Sequence, residues 1–330
     1  VVKFNQGDKI NNYQIIRKLG EGGMGEAWLA RDLVLERDVA IKFLNPLLTR
    51  EPEFAERFMR EARIQAKLTH SNIVSLFTFF ELEEQYYMVL EYAPGITLRE
   101  LIGKTGPIPE KRVLGIFHQL LGALEYAHSK GIVHRDMKPS NIMIDESHHD
   151  AVKVMDFGIA RIMDDIGLTR TGTKMGTISY MSPEQVRAEK NIDQRSDIYS
   201  LGVILYEMLS GVLPFNANTG SEYEIQHTIV TEPIPDPRKI YPFISEDTVK
   251  MLDWMTQKDK EARPQNLRDI IMPEIIGEPE YSENDVTDEE YEIQDDNEKE
   301  TVNRGSYIIV IAIIIAFWFV MFIIAMVLRG

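Results

Sequence analysis

Three side chains of complementary chemistry lie within six residues of one another in the run His134-Arg135-Asp136-Met137-Lys138-Pro139-Ser140-Asn141. They are the carboxylate of Asp136, the ammonium of Lys138 and the amide of Asn141. A carboxylate can serve as a general base, and an amide oxygen can join carboxylates around a hard metal ion. An isolated octapeptide of this kind also fits a solvated surface loop, so its reading depends on its company. Upstream stands Gly20-Glu21-Gly22-Gly23-Met24-Gly25, whose glycines let backbone approach phosphate oxygens without side-chain interference. Downstream, Asp156-Phe157-Gly158 adds a carboxylate fifteen residues after Asn141. Such a tripeptide is common by chance, and gains meaning from that spacing with a strand between. His148-His149 has no clear third ligand and reads as a polar turn.

These groups need elements to hold them. The glycine pattern also marks dinucleotide-binding folds, which require a strand-turn-helix context. Here Glu26 to Ala30 is short and bounded by charge and glycine, so it reads as a strand and the glycines as a hairpin between Tyr13 to Gly20 and Glu26 to Arg31. Val39-Ala40-Ile41-Lys42 and Tyr86 to Leu90 read as further strands. Glu53 to Leu68 reads as a helix, with Pro52 suited to its first turn and Phe54 and Phe58 on one face. Pro94-Gly95 ends the strand before it by turn chemistry. Lys111 to Lys130 carries an apolar stripe of Val113, Phe117, Leu120, Leu124 and Ala127, closed by Gly131. Asp197 to Ser210 is apolar nearly all round, as a buried helix is, with Asp197 expected as its cap.

Composition bounds the remainder. With 330 residues and 44% apolar content, the chain can build one large domain or two lobes around a cleft. The absence of cysteine excludes disulfides, thiolate metal sites and cysteine nucleophiles. A net charge of −16 argues against nonspecific nucleic-acid binding. Much of that charge sits between Glu278 and Glu300, where twelve acidic residues face one lysine. Val1 to Asn12 has no long apolar run, whereas Ser306 to Leu328 is 23 residues without a charge. As a helix it would be about 34 Å long, enough to cross a bilayer.

Taken in order, these motifs resemble those of a bacterial, eukaryotic-like serine/threonine protein kinase over residues 13 to about 270. The Asp-x-Lys-Pro-x-Asn form, with its lysine, is similar to the serine/threonine class. The resemblance implies an α+β, two-lobed fold: a small antiparallel-sheet N-lobe (13–92) above a mostly helical C-lobe (93–272). It implies ATP in the cleft with magnesium or manganese, and protein substrates. Asp136 would orient the attacking hydroxyl and take its proton, and Lys138 would neutralise the phosphoryl group in flight. Asn141 and Asp156 would hold the metal. Gly20, Gly22 and Gly25 would cradle phosphates. Lys42 would bind the α- and β-phosphates and pair with Glu61. Ala27 stands where the family commonly has valine over the adenine, and Ala40 joins the nucleotide-binding set. The Glu91 carbonyl and the Ala93 amide and carbonyl would bind the adenine edge, with Leu90 at the back. Phe157 would pack under the helix bearing Glu61. Ile159 to Met175 would be the activation segment, with Thr169, Thr171 and Thr173 as phosphorylation sites. Thr177 would bond to Asp136 and Lys138, Glu184 of Ser182-Pro183-Glu184 would pair with Arg263, and Asp197 would bond to the catalytic-loop backbone as well as cap its helix.

Around this domain the expected organisation is an N-terminal extension (1–12), an acidic disordered linker (273–305), one transmembrane helix (306–328) that meets membrane lipid, and a short tail (329–330). The kinase domain would be cytoplasmic. The chain would be a tail-anchored kinase or a piece of a longer one, and a homodimer stays open. An active protein kinase is the first reading. A membrane-anchored pseudokinase scaffold is the second; it would normally lack Lys42, Asp136 or Asp156, and all three are present. A small-molecule phosphotransferase is the third, but such relatives generally lack the Gly176 to Glu184 anchor.

Overall fold

In the computed structural model, strict alternation in the strand Arg37–Leu44 (β4) sets up the N-terminal lobe. Val39, Ile41 and Phe43 are buried in its core. Ala40 and Lys42, between them, turn to the opposite face. The structure describes residues 4–22, 25–44, 56, 59, 62–83, 85–157, 178–215 and 222–273. All of these lie in the first of two units, Val1–Ile275 and Ile276–Gly330.

The N-lobe sheet also contains Lys9–Ile10 (β1), Tyr13–Gly22 (β2), Gly25–Asp32 (β3), Leu76–Leu82 (β5) and Gln85–Glu91 (β6). Its order is β1-β2-β3-β4-β6-β5, antiparallel throughout. Strands β2 and β3 run further than the sequence pattern indicates. Their ladder continues into the glycine turn, pairing Glu21 with Glu26 and Gly22 with Gly25. One face of the sheet closes over Ile15, Trp28, Val39, Ile41, Phe43, Tyr87 and Val89. On the other, Met88 packs against Ala62, which stands in the helical residues 62–65.

The C-terminal lobe is built on helices. Leu98–Thr105 (α1) starts on a capping box from Thr97. Glu110–Ser129 (α2) buries Val113, Phe117, Leu120, Leu124 and Ala127, the expected stripe. Gly131 follows with φ of 71°, the left-handed turn a glycine makes cheaply after a helix. A small sheet of Ile96–Thr97 (β7), Ile142–Asp145 (β8) and Ala151–Val154 (β9) lies against α2. Asn141 closes the 3₁₀ turn Pro139–Asn141 just ahead of β8. Pro183–Val186 (α3), Gln194–Ser210 (α4), Glu222–Thr231 (α5) and Glu246–Met255 (α6) complete the lobe. Helix α4 begins three residues earlier than its apolar run suggests. Its N-cap is Asp193, whose side chain accepts from the Arg195 amide, so Asp197 is free for another task.

Among the described residues no helix is long and apolar enough to cross a membrane. The segment Ser306 to Leu328 and the acidic linker lie outside them, as do Glu61, Phe54, Phe58, Thr169, Thr171, Thr173 and Thr177.

Candidate active site

Strand register brings the nucleotide-side candidates onto one face. Ala27 is paired with Lys42, Ala40 with Leu90, and Lys42 with Met88. Directly opposed residues in an antiparallel sheet share a face. Ala27, Ala40, Lys42 and Leu90 therefore look away from the N-lobe core. Lys42 Nζ lies 2.8 Å from Asp156 Oδ1, joining the N-lobe sheet to the second residue after β9. Burial pushes the Asp156 carboxyl up, but the charge and hydrogen bond of Lys42, with His134 and Lys138 nearby, hold it below the usual carboxylate range. The Asp156 side chain stays 36% exposed to the cleft. Phe157 beside it is fully buried, its ring 4.6 Å from that of His134.

The run from His134 to Asn141 folds into a loop whose polar groups converge. Lys138 Nζ is 2.7 Å from Asp136 Oδ2. Asn141 donates through Nδ2 to the Asp136 carbonyl at 2.8 Å and to Asp136 Oδ2 at 3.2 Å. Both bonds use the amide nitrogen, which leaves the oxygen as the coordinating atom. His134 Nε2 is 2.9 Å from the Met155 carbonyl, and Asp136 N donates to His134 Nδ1 at 3.3 Å. These two bonds require the tautomer with its proton on Nε2.

The loop is supported from beneath by Asp197. One oxygen accepts from His134 N and the other from Arg135 N, each at 2.8 Å. His128 Nε2 lies 2.8 Å from the first oxygen. Burial raises the Asp197 carboxyl, but the hydrogen bond and charge of His128, with His134 and its amide, bring it below the ordinary range. The expected bonding of Asp197 to the loop is present, and its expected capping of α4 is not. Glu184 meets Arg263 as a buried bidentate pair at 2.7 and 2.8 Å. The remaining Arg263 donors reach the carbonyls of Gln257, Arg195 and Lys258, so the whole guanidinium is satisfied.

At the hinge, Glu91 N donates to the Ser75 carbonyl at 2.9 Å and Ser75 N returns a bond to Glu91 Oε2 at 3.1 Å. The other carboxylate oxygen pairs with Lys153 of β9. Ala93 is buried two residues on. Gly95 has φ of 102°, and a Cβ there would lie 2.1 Å from the Ile144 carbonyl oxygen, so only glycine lets the hinge pass β8 this closely. The sequence motifs did not point to the side-chain tie of Glu91 or to Gln185, whose Nε2 donates to the Arg135 carbonyl at 2.7 Å. Two concavities lie elsewhere, of about 370 Å³ beside His128 and about 680 Å³ beside Glu207. Neither is lined by Asp136 or Asp156.

The protein kinase domain family matches residues 13–276. The serine/threonine-protein kinase PknB of Mycolicibacterium smegmatis is 43% identical over 262 residues, 78% of this chain and 40% of its own length. The serine/threonine-protein kinase PrkC of Bacillus subtilis is 38% identical over 258 residues, 78% of this chain and 39% of its own length. The chain thus spans about two fifths of the length of these curated relatives. Among solved structures, the Mycobacterium tuberculosis PknI kinase domain superposes with a TM-score of 0.63 at 24% identity, covering 81% of this chain and 97% of that one. That likeness shows the two-lobed fold. With the family match spanning both lobes and the cleft between them, the chain belongs to the protein kinase domain family and is similar to the bacterial serine/threonine-protein kinases within it.

Proposed function

We propose that the protein transfers the γ-phosphoryl group of ATP to serine and threonine hydroxyls of protein substrates. The observation that carries this reading is the meeting in one cleft of Lys42 with Asp156, beside the cluster of Asp136, Lys138 and Asn141. Family membership implies ATP and a divalent metal. The donor set fits such an ion, since the Asp156 carboxylate and the Asn141 amide oxygen are hard ligands of the kind magnesium or manganese takes. Asp156 and Asn141 would hold the ion, which when bound would supply positive charge against the negative charge that develops on the phosphates.

The protein's own groups divide the remaining work. The backbone of Gly20, Gly22 and Gly25 approaches the phosphates, and Lys42 binds the α- and β-phosphates. The Glu91 carbonyl and the Ala93 amide and carbonyl hold the adenine edge, with Ala27 and Ala40 of the sheet face above it. Asp136 orients the acceptor hydroxyl and receives its proton at a carboxylate oxygen. Lys138, already bonded to that carboxylate, adds positive charge where the phosphoryl group passes. Glu61 holds Lys42 in register, and phosphorylation of Thr169, Thr171 or Thr173 orders the activation segment. Ser306 to Leu328 anchors the chain in a bilayer as a single span, with the kinase domain on the cytoplasmic side where ATP and magnesium are. The acidic run Glu278 to Glu300 acts as a spacer.

The test is ATP turnover with protein acceptors and, separately, with small-molecule acceptors. Phosphate incorporated into serine or threonine of a protein is the expected result. Tight ATP binding without transfer would favour a scaffold, and transfer to small molecules alone would place the chain among small-molecule phosphotransferases.

A further inference from the structure

Arg135, immediately before Asp136, holds a backbone φ of 67°, a left-handed conformation that a side chain larger than glycine adopts at a cost. Such a conformation persists where surrounding bonds over-determine it. Its amide is fixed by Asp197 Oδ1 at 2.8 Å. Its carbonyl accepts from Gln185 Nε2 at 2.7 Å, across fifty residues of sequence. Asp136 N, on the far side of the same peptide unit, donates to His134 Nδ1. The peptide joining Arg135 to Asp136 is therefore pinned at its oxygen by Gln185 and, through a longer bond, at its nitrogen by His134. Rotation of that peptide plane would swing the Asp136 side chain.

Gln185 is well placed to serve as a pin because its own amide is oriented. Its Oε1 accepts from Ser182 N at 3.0 Å, and its backbone amide donates to Ser182 Oγ, forming the capping box of α3. With the oxygen committed to an N–H, the nitrogen must face the Arg135 carbonyl. Helix α3 is in turn anchored by the buried Glu184–Arg263 pair. We infer that Gln185 is a positioning residue for Asp136, holding the strained Arg135 carbonyl so that the carboxylate faces the acceptor. A side chain of the segment that closes the activation loop thereby sets the geometry of the catalytic loop. The role rests on the reading of Asp136 as the acceptor-side carboxylate.

The substitution Gln185→Glu isolates this bond. It retains the acceptor for Ser182 N and thus the capping box. It replaces the donor to Arg135 with an oxygen that repels the carbonyl. The expected result is a fall in kcat on a peptide substrate of roughly 10- to 100-fold, the scale of a small displacement of a reacting group. The KM for ATP and the melting temperature should stay near wild type, a split that a merely structural role would not give. Gln185→Met, neutral and of similar length, is the second variant should Gln185→Glu fail to fold, and its kcat should fall in the same sense. A kcat within twofold of wild type in either folded variant overturns the inference, as does a loss confined to the KM for ATP. Asp136→Asn is measured alongside. An active Asp136→Asn defeats the reading of the site, whereas an inactive one beside a fully active Gln185→Glu defeats only the role of Gln185.

Discussion

Asp136 is held by groups that prepare it without replacing it. Lys138 neutralises one oxygen, Asn141 bonds both its carbonyl and its carboxylate, and His134 takes its amide. Asp136→Asn keeps the shape of this arrangement and removes the negative charge. Phosphoryl transfer to a peptide should fall by about 10²–10⁴, the usual scale of a general-base and orienting role. ATP affinity should persist, because Lys42 and the hinge lie on other elements; parallel peptide-phosphorylation and nucleotide-titration measurements check both parts. Arg135 carries a second prediction. Its Nη2 donates to the Ile192 carbonyl at 3.2 Å, and among the described residues this neutral oxygen is the acceptor for the charged guanidinium. A phosphothreonine brings about −1.5 to −2 charge and several acceptor oxygens, a stronger partner than a carbonyl. The enzyme incubated with ATP and magnesium should therefore acquire phosphate on Thr169 or Thr171, with Thr173 less used. Mass spectrometry that finds this segment unmodified in fully active enzyme would rule the mechanism out.

At the scale of elements, these loops were legible in the sequence because the phosphoryl transfer proposed for them would restrict residue type at each position. Asp136, Asn141 and Asp156 had few alternatives, and the structure brings them to one cleft with Lys42. Less legible was whatever rests on backbone. Helix α4 starts at Gln194, within a polar stretch whose only signal is the capping Asp193. Gln185 bonds a carbonyl fifty residues away, and a backbone oxygen leaves no mark on the sequence there. The Glu91–Lys153 tie between the hinge and β9 looks, in sequence, like two solvated charges. The Glu184–Arg263 pair was placed by resemblance, and its burial makes it testable. Burial raises the Glu184 carboxyl, but Arg263 and Ser196 hold it below the ordinary range. Its contribution to stability is therefore full above the unfolded value of about 4.3 and is lost as pH falls below that through the lower folded value. Arg263→Ala should cost about 3–5 kcal/mol at neutral pH by stranding a buried carboxylate. It should also remove this source of acid sensitivity, because an unpartnered Glu184 no longer titrates low. Denaturant unfolding of both proteins between pH 7 and pH 3 measures the cost and the slope together, and parallel pH curves would refute the pairing as its cause.

At the scale of the whole molecule, charge and hydropathy divide the chain more sharply than any motif. The kinase domain match ends at residue 276, and the acidic run opens at Glu278. In the spacer reading proposed above, the mutual repulsion of twelve carboxylates against one lysine would keep this run extended. Anionic lipid headgroups would repel the same run. Beyond it, Ser306 to Leu328 has no charge to oppose insertion. Each Leu or Ile at the centre of a membrane helix favours insertion by roughly 0.3–0.6 kcal/mol, and Ile308 to Ile315 is dominated by isoleucine. Flanking charge hardly decides orientation, with Lys299 and Arg304 on one side and Arg329 on the other. The orientation proposed above rests instead on where ATP and magnesium are found, and it would put the kinase domain in the cytoplasm with the acidic run as a repelled spacer. A chain ending at Asn303 should therefore move from the membrane fraction to the soluble one. It should phosphorylate a soluble peptide at a rate within about twofold of the full chain, since every catalytic candidate named above precedes residue 186. Replacing the acidic run with a neutral linker of equal length should leave membrane attachment intact while drawing the domain toward anionic vesicles, read as slower phosphorylation of a soluble peptide in their presence. A truncated chain that stays with membranes, or a full-length chain that fractionates as soluble, would defeat the anchor. A neutral linker that changes nothing on anionic vesicles would defeat the spacer alone.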